Sequence, residues 1–217
     1  MKKLLLITFL AIYGTSVAQE NEIKRVIPKD TWSIGGGLNI GSSKTENFQV
    51  NQDDNTYSKG FSFGFTPKIG YTIANDLTVG LGIGMDYAKS EENYNDEEST
   101  NKSLGYIINP FIRKNFGAGK NLSLFLQAEG RYSLYERKDS NSDSYEDPKK
   151  KIFIGLRPGL NYFLSNKIAL EATIGSLGYN YSSYKYRIDS FITKRESNTF
   201  NFDLSTSNIN LGVLILL

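Results

Sequence analysis

The fold class predicted by this sequence is all-β: an eight-stranded antiparallel up-and-down transmembrane β-barrel behind a cleavable signal peptide. Three observations lead there. Bulky apolar residues alternate with Gly, Ser, Thr or charged residues along successive long segments, and strand geometry sends such sets to opposite faces. The clearest example is Phe61-Ser62-Phe63-Gly64-Phe65-Thr66, continued by Ile69-Gly70-Tyr71-Thr72-Ile73. No segment after the N-terminus approaches the run of about 18 apolar residues that a membrane helix needs. Finally, short turns and long polar stretches alternate strictly, an asymmetry that outer-membrane barrels show, with turns in the periplasm and loops outside.

The first strand reads as Thr31 to Ser42, with Trp32, Ile34, Leu38 and Ile40 on one face, and the polar stretch Ser43 to Ser58 follows. The second runs from Lys59 to Ile73 and turns at Ala74-Asn75-Asp76. The third, Leu77 to Ser90, sets Leu77, Val79, Leu81, Ile83, Met85 and Tyr87 against Thr78, Gly80, Gly82, Gly84 and Asp86. After the acidic stretch Glu91 to Asn101, the fourth strand ends near Phe116, and the fifth points Leu122, Leu124, Leu126, Ala128, Tyr132 and Leu134 outward. The polar stretch Lys138 to Lys150 precedes the sixth strand, Lys151 to Leu164. A turn at Ser165-Asn166-Lys167 leads to the seventh, Ile168 to about Ser183, and the eighth follows Asn198 to the C-terminus. These strands exceed the about 9 to 11 residues needed to cross the hydrocarbon when tilted, so some should project beyond the bilayer on the loop side. The register predicts aromatic girdles at Trp32, Tyr71, Phe116 and Tyr162 below, and at Phe61, Tyr87, Tyr106, Tyr132 and Tyr181 above. The opposing reading is a soluble barrel with these residues in its core, which would leave a Gly- and Ser-rich face to water.

Lys2 and Lys3 precede the apolar run Leu4 to Tyr13, and Ser16-Val17-Ala18 has small residues at cleavage spacing. Residues 1–18 therefore read as a signal peptide, 19–30 as a periplasmic segment, and 31–217 as the barrel, placed in the outer membrane of a Gram-negative cell. The chain has no Cys and no His. That removes disulfides, thiolate nucleophiles, an imidazole base and ordinary zinc sites, so neither enzyme chemistry nor a cofactor is expected. A formal charge of +2 does not suggest a nucleic-acid partner.

Three descending strands repeat a proline at a lipid-facing position before the short turn: Thr66-Pro67-Lys68-Ile69-Gly70-Tyr71, Asn109-Pro110-Phe111-Ile112-Arg113 and Arg157-Pro158-Gly159-Leu160-Asn161-Tyr162. Proline removes a ladder donor, so its recurrence suggests matched bulges or kinks in a repeated hairpin. The chain ends Asn210-Leu211-Gly212-Val213-Leu214-Ile215-Leu216-Leu217. With these hairpins and this ending it resembles the porin-like small outer-membrane barrels common in Bacteroidetes, of broadly OmpA and OmpX type. The resemblance implies an insertion signal at Asn210, Gly212, Ile215 and Leu217, read by the barrel-insertion machinery, although Leu217 stands where Phe is usual. It carries no catalytic or ligand residues across.

The inward face should hold an ionic cluster: Lys68, Asp86, Arg113, Glu129, Arg131, Arg157, Glu171 and Asp203. Eight strands leave an interior just wide enough for side chains, so these charges should pair as a plug, with Glu129 and Arg157 as the first pair to expect. Other motifs weaken on inspection. Gly80-Leu81-Gly82-Ile83-Gly84 lies within a strand and opens no helix. Asp139-Ser140-Asn141-Ser142-Asp143 begins like a calcium loop, but Ser144 replaces its Gly and Lys150 its Glu. The acidic run Glu91 to Glu98 reads as a solvated loop. The functional expectation is a nonenzymatic, monomeric barrel acting through four outer loops, with outer-membrane lipids and lipopolysaccharide as neighbours; the alternative is a narrow or gated channel.

Overall fold

The structure, a computed structural model, describes residues 24–47, 56–94, 97–139, 148–188, 191–204 and 209–217. The expected signal peptide and its cleavage site lie outside these residues, as does most of the candidate calcium loop. Ten strands form the wall: β1 (Trp32–Asn47), β2 (Thr56–Ala74), β3 (Leu77–Tyr94), β4 (Glu97–Gly117), β5 (Leu122–Asp139), β6 (Lys149–Phe163), β7 (Ile168–Ile174), β8 (Ser176–Ile188), β9 (Phe191–Asp203) and β10 (Ile209–Leu216). Each of β1 to β6 pairs antiparallel with the next, β6 pairs with β7 and β8, and β10 pairs with β7 and β1. The wall closes on itself as eight staves, the seventh made of β7 and β8 and the eighth of β10 and β9. The chain's last amide, Leu217 N–H, donates to the Trp32 carbonyl at 2.9 Å, so the two ends of the barrel meet at the same rim.

Alternation sorts the two faces as the sequence predicts. Trp32, Phe116 and Tyr162 remain 49%, 51% and 48% exposed, whereas Asn109, Gln127 and Asn161 are fully buried. The apolar residues thus face outward and the polar ones fill the centre, the reverse of a soluble ligand-binding barrel, and this arrangement is stable only with lipid around it. Trp32 and Tyr71 touch across β1 and β2 at a ring separation of 4.9 Å, as expected of neighbours in a lower girdle.

Four features depart from the sequence reading. The seventh strand is broken at Gly175, which adopts φ +66° where a side chain would be driven into the backbone of Asp203. This break shifts the β6 register by one residue between Leu156↔Leu177 and Gly159↔Thr173, and Pro158 sits at the shift. At the other two prolines no bulge forms. The β2–β3 ladder lapses beside Thr66-Pro67 and the β4–β5 ladder beside Asn109-Pro110, but both resume in the same register, because each proline still pairs normally with the strand on its other side. Much of the predicted loop sequence is strand: β3 and β4 run to Tyr94 and from Glu97, and β9 begins at Phe191, well before Asn198. A polar ribbon with water on both faces lacks the apolar alternation that marks a strand, yet its backbone groups are satisfied by the ladder all the same. Finally, the wall is unequal in height. β1 pairs with β10 only from Ser33 to Leu38, and above that level its other edge and the outer edge of β9 face one another with no pairing among the described residues.

Candidate functional site

Because in-facing residues on adjacent strands lie directly opposite each other, the register fixes what can meet in the lumen. Cross-barrel ranks form where Arg113 pairs with Gln127 and Gln127 with Arg157, and where Phe111 pairs with Glu129. From these ranks a continuous chain of contacts crosses the barrel. Arg113 grips Glu171 with both terminal nitrogens, Nη1 to Oε2 at 2.6 Å and Nη2 to Oε1 at 3.0 Å, and Lys68 Nζ lies 3.8 Å from the same carboxylate. The other side of the Arg113 guanidinium donates to Gln127 Oε1 from Nε at 3.0 Å and from Nη2 at 2.7 Å. Gln127 then donates through Nε2 to Glu129 Oε2 at 2.6 Å. Glu129 Oε1 accepts from Arg157 Nε at 2.6 Å, with Arg131 Nη2 at 3.8 Å.

Charge-assisted bonds of this kind are the strong ones, and the planar guanidinium suits a two-pronged grip on a carboxylate. Burying either carboxylate alone would be costly, so the pairing is what makes the chain tenable in the lumen. Aromatic rings complete the seal. The Arg113 guanidinium stacks 4.0 Å from the Phe125 ring centre, Arg157 lies 5.0 Å from Phe153, and Lys68 5.9 Å from Phe111. Phe111 fits inward because Gly80 stands opposite it on β3, where any Cβ would strike the ring.

Of the eight charges that the sequence nominates for the interior, six belong to this chain: Lys68, Arg113, Glu129, Arg131, Arg157 and Glu171. Asp86 is held apart, accepting a 2.9 Å hydrogen bond from the Tyr135 hydroxyl higher in the lumen. Asp203 lies in an inward register position on β9, opposite Ser176. Of the C-terminal residues, Asn210 and Gly212 take inward positions and Ile215 and Leu217 outward ones, alternating with Leu214 and Leu216, which are buried in the barrel floor.

Sequence reasoning missed three groups. Gln127 links the two halves of the chain; it lies in line with the inward residues of its strand, but carries no charge to attract notice. The inward rings Phe111, Phe125 and Phe153 were masked by the rule that aromatics face lipid. The third group is the floor. Residues 24–31 fold under the barrel, where the Ile27 amide donates to Asp76 Oδ1 at 2.8 Å and the Asp76 amide to the Ile27 carbonyl at 2.9 Å. Ile27 is buried with Phe163, Ala169, Leu214 and Leu216, and the Arg25 guanidinium covers the Phe163 ring at 4.3 Å while donating to Asn166.

Above the chain the lumen opens. The space among Lys68, Arg113, Glu171 and the floor is only about 20 Å³, whereas a vestibule of about 640 Å³ lies over it, with Tyr135, Arg137, Lys149 and Lys151 on its inner wall. Lys151 sits 4.4 Å from the Tyr135 ring and Arg137 donates to Asn101 Oδ1 at 2.9 Å. A further space of about 370 Å³ reaches from Asp86 and Arg157 to Leu38 and Asn210, at the foot of the unpaired seam.

No protein-family model matches the chain, and no curated protein matches it. Among solved structures it is similar to the neisserial surface protein NspA, at 18% identity over 85% of this chain and 96% of that one, with a TM-score of 0.41. The outer-membrane protein OprG of Pseudomonas aeruginosa matches at 11% identity over 88% and 97%, with a TM-score of 0.49. The Yersinia pestis outer-membrane protein Ail matches at 14% identity over 87% and 100%, with a TM-score of 0.27.

Proposed function

We propose that the chain is a nonenzymatic, monomeric barrel of the Gram-negative outer membrane, of the porin-like type that its hairpins and C-terminus resemble, which acts through its tall polar hairpins above a sealed lumen. The observation that carries this reading is the chain of contacts from Lys68 through Glu171, Arg113, Gln127 and Glu129 to Arg157, beneath which almost no free space remains. A rigid wall sealed at its base holds the upper hairpins in place, and binding residues gather on such scaffold-borne segments. The buried carboxylates Glu129 and Glu171 are engaged by arginine, which leaves neither placed as a base toward an outside substrate. Trimming the upper hairpins while leaving the barrel folded is expected to abolish the surface phenotype. A phenotype that survives the trimming of all four overturns the reading.

A second reading, a gated conduit, is favoured by one observation: Glu129 has two arginine partners, Arg157 at 2.6 Å and Arg131 at 3.8 Å, so exchange between them could loosen the seal. Planar-bilayer conductance of the folded protein separates the two. A silent membrane supports the plug, and stable current steps support the conduit.

A further inference from the structure

At the rank of Phe61, and above the other rings of the upper aromatic girdle, the outward face of the barrel carries a row of like charges. Lys89 of β3 lies directly opposite Lys102 of β4, and Lys102 directly opposite Lys138 of β5. Directly opposed residues bring their Cβ atoms to about 4.5–5.5 Å, and like charges placed so repel. Lys89 donates to Glu91 on its own strand, but among the described residues no carboxylate is in ion-pair contact with Lys102 or Lys138. Among the described residues two other opposed lysine pairs occur, Lys44 with Lys59 and Lys185 with Lys194, and in each, as at Lys89, a Lys-x-Glu neighbour answers one charge: Lys44 to Glu46 at 2.5 Å and Lys194 to Glu196 at 2.7 Å. Among the described residues, the row therefore leaves two adjacent lysines, Lys102 and Lys138, without an ion-pair partner, and Glu136 stands one outward position below Lys138.

The height of this row fixes what it meets. Outward residues recur every second position, about 6.6 Å apart along a strand. Lys89 stands one such step above Tyr87, Lys102 two above Tyr106, and Lys138 three above Tyr132. Aromatic rings mark the boundary between hydrocarbon and headgroups, and long basic side chains just beyond it extend their ammonium groups into the headgroup layer. We propose that Lys89, Lys102 and Lys138 form a binding face for the phosphate groups of an outer-leaflet glycolipid of lipid A type. This proposal rests on the outer-membrane reading above. A phosphate spanning the row would answer two or three ammonium groups at once, as divalent cations do between neighbouring phosphates, and would turn a repulsive arrangement into an attractive one.

The test uses the full folded chain in zwitterionic detergent micelles, with lipid A bisphosphate, dephosphorylated lipid A and phosphatidylglycerol as probes, and counts lipid retained per barrel after affinity capture. K89Q/K102Q/K138Q is expected to retain lipid A about tenfold less well than the unaltered chain, which corresponds to about 1.4 kcal/mol. K89R/K102R/K138R and K185Q/K194Q should retain it normally, and dephosphorylated lipid A should bind neither form. In lipid-free micelles the glutamine variant should unfold no more easily than the unaltered protein, since repulsion has been removed; heat-dependent gel mobility reports this, and K102Q alone replaces it if it fails to fold. Equal retention of lipid A by the glutamine variant overturns the proposal, and so does retention of phosphatidylglycerol equal to that of lipid A. Outer-membrane fractionation of the same chain tests the location separately, so a barrel in the right membrane that ignores lipid A sinks the lysine face alone.

Discussion

The lower and upper halves of this barrel are built from the same staves but by different rules. Below the level of Leu38, every stave has two paired neighbours, the lumen is filled by a hydrogen-bonded ionic chain, and the floor is closed by Ile27 and the ring of Phe163. Above it, β1 and β9 each have one paired neighbour and the lumen is a vestibule of about 640 Å³. The difference shows that wall and plug stabilise the protein together. Where hydrocarbon surrounds the wall, each backbone group must be paired and each inward charge answered. Beyond the rank of Ser42 and Phe61, where water is available on both faces, an edge and an empty lumen cost little.

The comparison is broken most severely at its strongest point. Glu171→Ala leaves the Arg113 guanidinium buried without its carboxylate and is expected to cost about 3–5 kcal/mol. The midpoint of urea unfolding, read by heat-dependent gel mobility, checks this, and an unchanged midpoint would mean that water replaces the pair without loss. In the floor, Ile27→Ala removes a buried side chain that pins residues 24–31, and about 2 kcal/mol is the expected loss in the same assay. Removing Glu129 and Arg157 together breaks the chain of contacts at its upper link. The double alanine variant should give current steps in planar bilayers where the unaltered protein gives none, which measures how far the plug alone separates the halves.

Smaller effects sharpen the comparison from above. Amide hydrogen exchange should be faster in β9 and in β1 beyond Ile40 than in β1 from Ser33 to Leu38, since unpaired edges open with little free energy. Equal protection would mean that the seam zips shut in the membrane. At the top of the wall, Lys194→Ala breaks an exposed ion pair with Glu196 and should leave the urea midpoint unchanged.

The two halves were not equally legible. Alternation through Phe61 to Ile73 and Leu77 to Tyr87 specified the lower wall because lipid on one side and a polar lumen on the other write opposite demands on adjacent residues. The same contrast disappears in Glu91 to Asn101 and Tyr184 to Asn198, where both faces meet water, and strands there passed for loops. Among the site residues, the pairing of Glu129 with Arg157 followed from their equal distance to adjacent short turns. Gln127 did not, because a neutral relay gains its role only from the two charged neighbours that the fold brings to it.

By itself the sequence determined the architecture: the number of staves, the face each residue takes, and the charges committed to the interior all follow from a period of two, which is a local property of the strand. Tertiary structure alone decided the plug's wiring, the break at Gly175, the floor made by residues 24–31 and the unpaired seam. Each of these depends on which residues come opposite one another across staves far apart in the chain, and that is set by register and closure, which no single segment encodes.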